Sequence, residues 1–260
     1  MAPQLHPARP QQAPGGLALE DVAPGMATRW RGEGGQHQGA RPYQEDSWRL
    51  ATLGDGSLLA VVADGMGGHA GGAVASRLAV DAFVHAVEQG GGLGDGLADA
   101  NEAVGKGAVG KPELSGMGAT LVAAQLRGDE VRWISVGDSP FYLIEAGRIA
   151  RLNADHSMAP QIDALVARGM LTADEAEHHP GRHTLREAVM GEPLTLIDKG
   201  TRRLGPDARL LMCSDGVQSL KNEEILAQAA LPVDRIIDAV LATAKAHQDN
   251  ITVVKLERVR

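Results

Sequence analysis

The apolar residues of this 260-residue chain fall into short runs: LLAVVA at 58–63, ATLVAAQL at 119–126, VRWISV at 131–136, FYLI at 141–144, ARLLMC at 208–213 and ITVVKL at 251–256. Runs of this length, rich in β-branched and aliphatic residues and bounded by Gly and Asp, read as strands. RGDE and EAGR leave room only for turns, so the strands they join pair antiparallel. Helical periodicity is confined to two places. Val80, Phe83, Val84 and Val87 recur at helical spacing, and Ile236, Ile237, Val240, Leu241 and Ala244 form an apolar stripe after Pro232. Strands and helices do not alternate regularly, so a mixed α+β domain with mostly antiparallel sheet is expected.

Residues 1–27 hold five prolines among Gln, Ala and Gly, too little apolar area to offset ordering, and are expected to be a flexible tail. One domain then spans 28–260, interrupted by a polar, His-rich, helical flap at 155–190 that is too long for a plain loop. The formal net charge of -8 disfavours nucleic acid or an anionic membrane as partner. Cys213 stands alone, so an intrachain disulfide and a cysteine zinc cage are excluded. No apolar stretch reaches membrane-span length and no signal-peptide h-region opens the chain, so a cytoplasmic location is expected.

Aspartates mark the strand ends. Asp64 follows LLAVVA, Asp138 follows VRWISV through Gly137, Asp215 follows ARLLMC through Ser214, and Asp249 stands just before the last run. Turn chemistry accounts for any one of them. It does not account for Asp64 and Asp215, which lead into helix or loop rather than a returning strand. Brought together, such carboxylates about 4 Å apart would repel by roughly 4 kcal/mol per pair at an effective dielectric of 20. Arg41 in GARPYQEDSW is the basic residue near these motifs, and it arrives with Glu45 and Asp46. A hard divalent cation resolves the imbalance: carboxylate, carbonyl and water oxygens suit Mg²⁺ or Mn²⁺, and Gly65 lets a backbone oxygen approach closely. Two ions bridged by one aspartate would acidify a shared water, which is hydrolase chemistry.

Read in order, GARPYQED, VVADGMGGHAGG, SGMGATLVA, ISVGDSPFYLI, NADHS, MCSDGV and DNITVV resemble the metal-dependent Ser/Thr protein phosphatases, the PPM or type-2C family, and most of all its compact bacterial members. The resemblance runs from about 35 to 256. It implies an αββα sandwich, two antiparallel sheets flanked by helices, with two catalytic ions at one end. It implies that Asp64 bridges both ions, that the Gly65 carbonyl binds one, and that Asp215 and Asp249 bind the other. Asp46, with Glu45 behind it, would act through waters, Asp138 would share a third ion with Asp215, and Arg41 would grip the substrate phosphate. A bridging hydroxide would then attack phosphorus in line. The implied partners are proteins phosphorylated on Ser or Thr and a cognate Ser/Thr kinase, with the phosphatase itself a monomer. Met66 departs from the pattern, standing where many eukaryotic members carry a histidine proposed as general acid, and Pro140 replaces a common arginine.

Other readings fit less well. Gly65–Ala70 imitates a dinucleotide fingerprint, but Asp64 would repel a pyrophosphate. Cys213 lacks the phosphate-cradling arginine of a tyrosine phosphatase and reads as a packed strand residue. His69 reads as a solvent-facing or helix-start residue, and His178, His179 and His183 as surface histidines of the flap. Trp30, Trp48 and Trp133 read as core or sheet-face residues. A catalytically silent phosphoprotein-binding module on the same fold is the alternative of a different class, although Asp46, Asp64, Asp215 and Asp249 all persist.

Overall fold

The computed structural model describes residues 29–67 and 71–259, so the expectations for the 1–27 tail and for His69 lie outside the described residues. Its strands are β1 Trp30–His37, β2 Ser47–Thr52, β3 Leu58–Ala63, β4 Gly65–Met66, β5 Gly118–Ala119, β6 Leu121–Arg127, β7 Glu130–Val136, β8 Phe141–Glu145, β9 Arg148–Arg151, β10 Asp198–Arg203, β11 Arg209–Cys213 and β12 Ile251–Arg258. Its helices are α1 Gly71–Glu88, α2 Leu93–Ala108, α3 Ala159–Ala167, α4 Ala173–Glu177, α5 Asn222–Gln228 and α6 Val233–Ala242.

β3, and β11 after Arg209, are continuously apolar because both of their faces are buried. In β3, Leu59, Val61 and Ala63 pack under α1 and α2, whereas Ala60 and Val62 face the other sheet. In β11, Leu210 and Met212 point into that inter-sheet core, while Leu211 and Cys213 lie under α5 and α6. Period-two alternation therefore separates two cores rather than core from solvent. The result is an α+β, αββα sandwich of two antiparallel five-stranded sheets, ordered β10-β7-β6-β3-β2 and β1-β12-β11-β8-β9.

The two tight turns form as expected. Glu145 pairs with Arg148 across Ala146 and Gly147, whose φ values are 50° and 70°, and Arg127 pairs with Glu130 across Gly128 and Asp129. The strands that the apolar pattern does not reveal, β1, β2, β9 and β10, are all sheet edges, where polar residues are tolerated. Two of them use glycine to seat tryptophan. A Cβ on Gly34 would lie 2.5 Å from the Trp48 ring, and Gly200 lies against Trp133. Trp30, Trp48 and Trp133 all pack on the inter-sheet core.

Cys213 is buried in β11, and Val80, Phe83, Val84 and Val87 form the buried face of α1. The α6 stripe holds for Ile236, Ile237 and Val240, but Ala244 lies beyond the helix with φ 52°. No helix among the described residues is long and apolar enough to cross a membrane.

Phe141 is 0% exposed and meets Trp133 edge-on, with ring centroids 6.1 Å apart. Phe141→Ala is expected to cost about 3–5 kcal/mol, whereas Val109→Ala, at a site 77% exposed, is expected to stay within about 0.5 kcal/mol. Urea midpoints with an unchanged m-value check both, and equal midpoints would refute this placement of the core.

Candidate metal centre

The antiparallel order puts the end of β3, the end of β7, the end of β11 and the start of β12 at one end of the sandwich. Asp64, Asp138, Asp215 and Asp249 are the residues at or just beyond these ends. They share a cleft of about 540 Å³, with Arg41 and Gly65 also in its wall.

Polar groups brace the segments that carry the carboxylates. Thr120 N donates to the Asp64 carbonyl at 2.9 Å, and Asp64 N donates to Thr120 Oγ1 at 3.1 Å. Thr120 Oγ1 lies 2.7 Å from Ser139 Oγ, tying Asp64 to the loop that carries Asp138. Arg151 donates to the Asp138 carbonyl at 2.7 Å and to Asp155 at 3.0 Å, while Asn153 braces Phe141 N, the Ser139 carbonyl and Ser135 Oγ. Asn250 clamps the Arg41–Asp46 loop: Glu45 N donates to its Oδ1 at 2.7 Å, and its Nδ2 donates to the carbonyls of Gln38 and Tyr43. Asp215 opens a short 3₁₀ turn, and Gly216 fits there because its Cα abuts the Asn250 carbonyl.

Gly65 N donates to the Glu45 carbonyl at 3.1 Å, and a Cβ at Gly65 would run into the carbonyl oxygens of Glu45 and Gly72. Glycine is therefore required for close backbone approach rather than for an unusual φ. Beyond Asp64 the chain makes one short further pairing, β4 with β5, before entering α1.

The carboxylates feel one another. Burial, then Asp46, Asp215, Asp138 and Asp249, pushes Asp64 well above the usual carboxylate range. Asp215 is raised by burial and then by Asp249, against opposing effects of His183, Arg41 and a hydrogen bond with Asp64. Burial lifts Asp46 to about 7, despite its hydrogen bond from Thr252 Oγ1 at 2.7 Å. Asp138 also rises to about 7, through burial and the nearby Asp215 and Asp155. Arg41 Nη2 pairs with Asp249 Oδ2 at 2.6 Å rather than reaching across the cleft.

Two observations match this site to a divalent cation. Asp46 Oδ1 is buried without a hydrogen-bond partner, a costly state that a bound cation or its water would relieve. The acidic groups gathered here offer only oxygen, the hard donor set of Mg²⁺ or Mn²⁺. Among the described residues no three His, Cys, Asp or Glu side chains close into a ready-made cage. Mg²⁺ commonly retains several waters and so does not need one.

The opposite wall comes from the flap, which carries α3 and α4 and returns through His183, Leu185, Arg186, Glu187, Ala188 and Met190. Arg41 is thus not the only basic group facing the carboxylates, and His183 belongs to the cleft rather than to a remote surface. Sequence reasoning missed Thr120, Asn250, His183 and Arg186. Asn250 was within reach, as the amide beside Asp249 before a strand, but no local signal folds 183–190 over the site.

Comparison with known proteins agrees with this geometry. Residues 33–255 match the family model described as protein phosphatase 2C. The serine/threonine protein phosphatase PstP of Mycobacterium tuberculosis is 35% identical over 214 residues, 76% of this chain, and the chain spans only 40% of that relative's length. The serine/threonine phosphatase stp of Listeria welshimeri is 30% identical over 233 residues, covering 84% of this chain and 91% of the relative. Among solved structures, the catalytic domain of PstP in complex with two manganese ions superposes with a TM-score of 0.75 at 29% identity, over 89% of this chain and 99% of the other. The sandwich, its acidic end and these matches are consistent with one another, and the chain belongs to the protein phosphatase 2C family.

Proposed function

We propose that this protein is a metal-dependent serine/threonine phosphatase that hydrolyses phosphoserine and phosphothreonine in other proteins. The observation that carries this reading is the convergence of Asp64, Asp138, Asp215 and Asp249, drawn from distant parts of the chain, on one cleft, with buried Asp46 close enough to raise Asp64. Asp64, the Gly65 carbonyl, Asp215 and Asp249 would hold two Mg²⁺ or Mn²⁺ ions, Asp46 and Glu45 would support them through water, and Asp138 would add a third position. Bound there, such ions supply a water acidic enough to serve as nucleophile near neutral pH.

The protein's own groups orient the substrate. Arg41 presents a planar fork to two phosphoryl oxygens and must leave Asp249 to do so. The Asn250 clamp and the Thr120–Ser139 hydroxyl pair keep the acidic residues from spreading apart. Met66 puts no proton donor directly after Gly65. We read residues from 28 onward as the catalytic domain, 155–190 as its flap, and the working unit as a monomer that opposes a Ser/Thr kinase. A silent binding module is disfavoured because the buried Asp46 Oδ1 has no other partner.

Hydrolysis of p-nitrophenyl phosphate and of a phosphothreonine peptide is expected to need Mn²⁺ or Mg²⁺ and to stop with EDTA. Asp64→Asn and Asp215→Asn are expected to lower kcat/KM by at least about 100-fold, and undiminished turnover would reject the assignment. Arg41→Ala is expected to raise KM more than it lowers kcat in steady-state assays.

Protons compete for the same oxygens. Asp46 and Asp138 rise from 3.8 to about 7 on folding, so the folded metal-free protein binds more protons than the unfolded chain across that interval. Their contribution is full below about pH 4 and is lost as pH rises through about 7, so the part of the stability in EDTA that Asp46 and Asp138 supply should fall across that window. Excess Mn²⁺ should stabilise the protein more at pH 8 than at pH 5, because binding releases those protons. Melting temperatures in EDTA and in Mn²⁺ read both effects; because Asp55, Glu187 and Glu257 are held low and act in the opposite sense, the EDTA slope is read as the difference between wild type and Asp46→Asn, and identical slopes would contradict this electrostatic picture.

A further inference from the structure

The wall facing the carboxylates is fastened to a helix that takes no part in the acidic cluster. Asn101, on α2, accepts at Oδ1 from Met190 N at 3.1 Å and from Gly191 N at 2.9 Å, and its Nδ2 donates to the Glu192 carbonyl at 2.7 Å. Two N–H groups on one side and a carbonyl on the other fix the amide's orientation. One turn further along α2, a Cβ on Gly105 would stand 2.7 Å from Gly191 Cα, and Gly191 has φ +94°. The two backbones therefore touch where only glycine fits. Ala119 and Val189 exchange backbone hydrogen bonds at 2.8 and 3.0 Å, extending the β4–β5 pairing into the same segment.

Met190 is the residue this latch delivers to the cleft. A Cβ on Gly118 would lie 2.7 Å from Met190 Cγ and 2.9 Å from Met66 Cε, so both thioethers cover the same glycine. Met190 is 38% exposed, and both side chains line the cleft. Met66 directly follows Gly65, and both thioether residues line the same cleft as the carboxylates. A side chain resting on this surface while the phosphoryl group meets the carboxylates belongs to a residue close in sequence to the phosphorylated one, and two flexible thioethers suit an aliphatic neighbour of varied shape.

We infer that Met66 and Met190 form a shelf for an aliphatic side chain next to the phosphorylated residue, and that Asn101 is the positioning residue that keeps Met190 in it. This rests on the phosphatase reading. Two phosphothreonine peptides that differ only in Leu or Gln beside the phosphothreonine test it, with p-nitrophenyl phosphate as a substrate that cannot reach the shelf.

Wild type should favour the Leu peptide by roughly 10-fold in kcat/KM, the lower end of what apolar pocket contacts discriminate. Asn101→Ala should erase that preference through KM, leaving kcat and p-nitrophenyl phosphate hydrolysis within about twofold, a split that general destabilisation would not produce. Asn101→Asp keeps both acceptor contacts and should retain part of the preference. Met190→Gln should abolish it with the latch intact, and this holds the test open if Asn101→Ala does not fold. Equal use of both peptides by wild type overturns the shelf while leaving the phosphatase reading standing. An unchanged preference in Asn101→Ala overturns the latch. Absence of metal-dependent turnover on all three substrates removes the phosphatase reading and this inference together.

Discussion

Mutual repulsion among carboxylates at one end of the sandwich is the constraint around which the rest of the site is built. Left to themselves, such carboxylates would separate or protonate, and the upward shifts of Asp64 and Asp215 record that tendency. What holds the surrounding loops is a network of uncharged polar groups: Thr120 on the Asp64 backbone, Ser139 on Thr120, Asn153 on Phe141 N, Asn250 on Glu45 N and Thr252 on the Asp46 carboxylate. Each bond contributes only about 0.5–1.5 kcal/mol net, but leaving one partner buried and unpaired costs about 1–3 kcal/mol. Rigidity arises because no member can turn away without orphaning another.

The sandwich suits this task because its central strands are buried on both faces. Polar side chains are then concentrated at strand ends and on edge strands, with exceptions such as Thr252 and Lys255 inside β12. Antiparallel order alternates the strand directions, so β3, β11 and the start of β12 deliver their acidic residues to the same end although nearly 190 positions separate Asp64 from Asp249. The acidic cluster is thus a consequence of topology acting on a repeated local feature, an aspartate at the limit of an apolar run.

That repeated feature was legible before any coordinates, because a strand buried on both faces writes itself as an unbroken aliphatic run. The edge strands were not. WRGEGGQH and DKGTRR have no apolar period, since Gly34 makes room for the indole of Trp48 from the facing sheet and Gly200 for that of Trp133 from the adjacent strand. The flap was legible as an excursion but not as a wall. Its contacts with the site run through Ala119 and Asn101, both more than 60 positions away, and its polar sequence carries no sign of which residues would face the carboxylates. His183 illustrates the limit: its sequence neighbours describe an exposed histidine, whereas it lines the cleft and opposes the rise of Asp215, from another part of the chain.

The two halves of the site differ in how firmly they are held, and this bears on how the proposed reaction would be organised. Asp46 is buried and fixed by Thr252, with one oxygen directed where no protein group meets it. Arg41 and Asp249 remain 48% and 35% exposed, and an ion pair in such a setting contributes about 0–1 kcal/mol. That pairing yields to any stronger claimant on either partner. A cation would take Asp249 and a phosphate dianion would take Arg41, so each event removes the competitor of the other. Binding of positive charge at Asp249 and of the phosphoryl group at Arg41 would then be mutually favourable, without any rearrangement of the buried half.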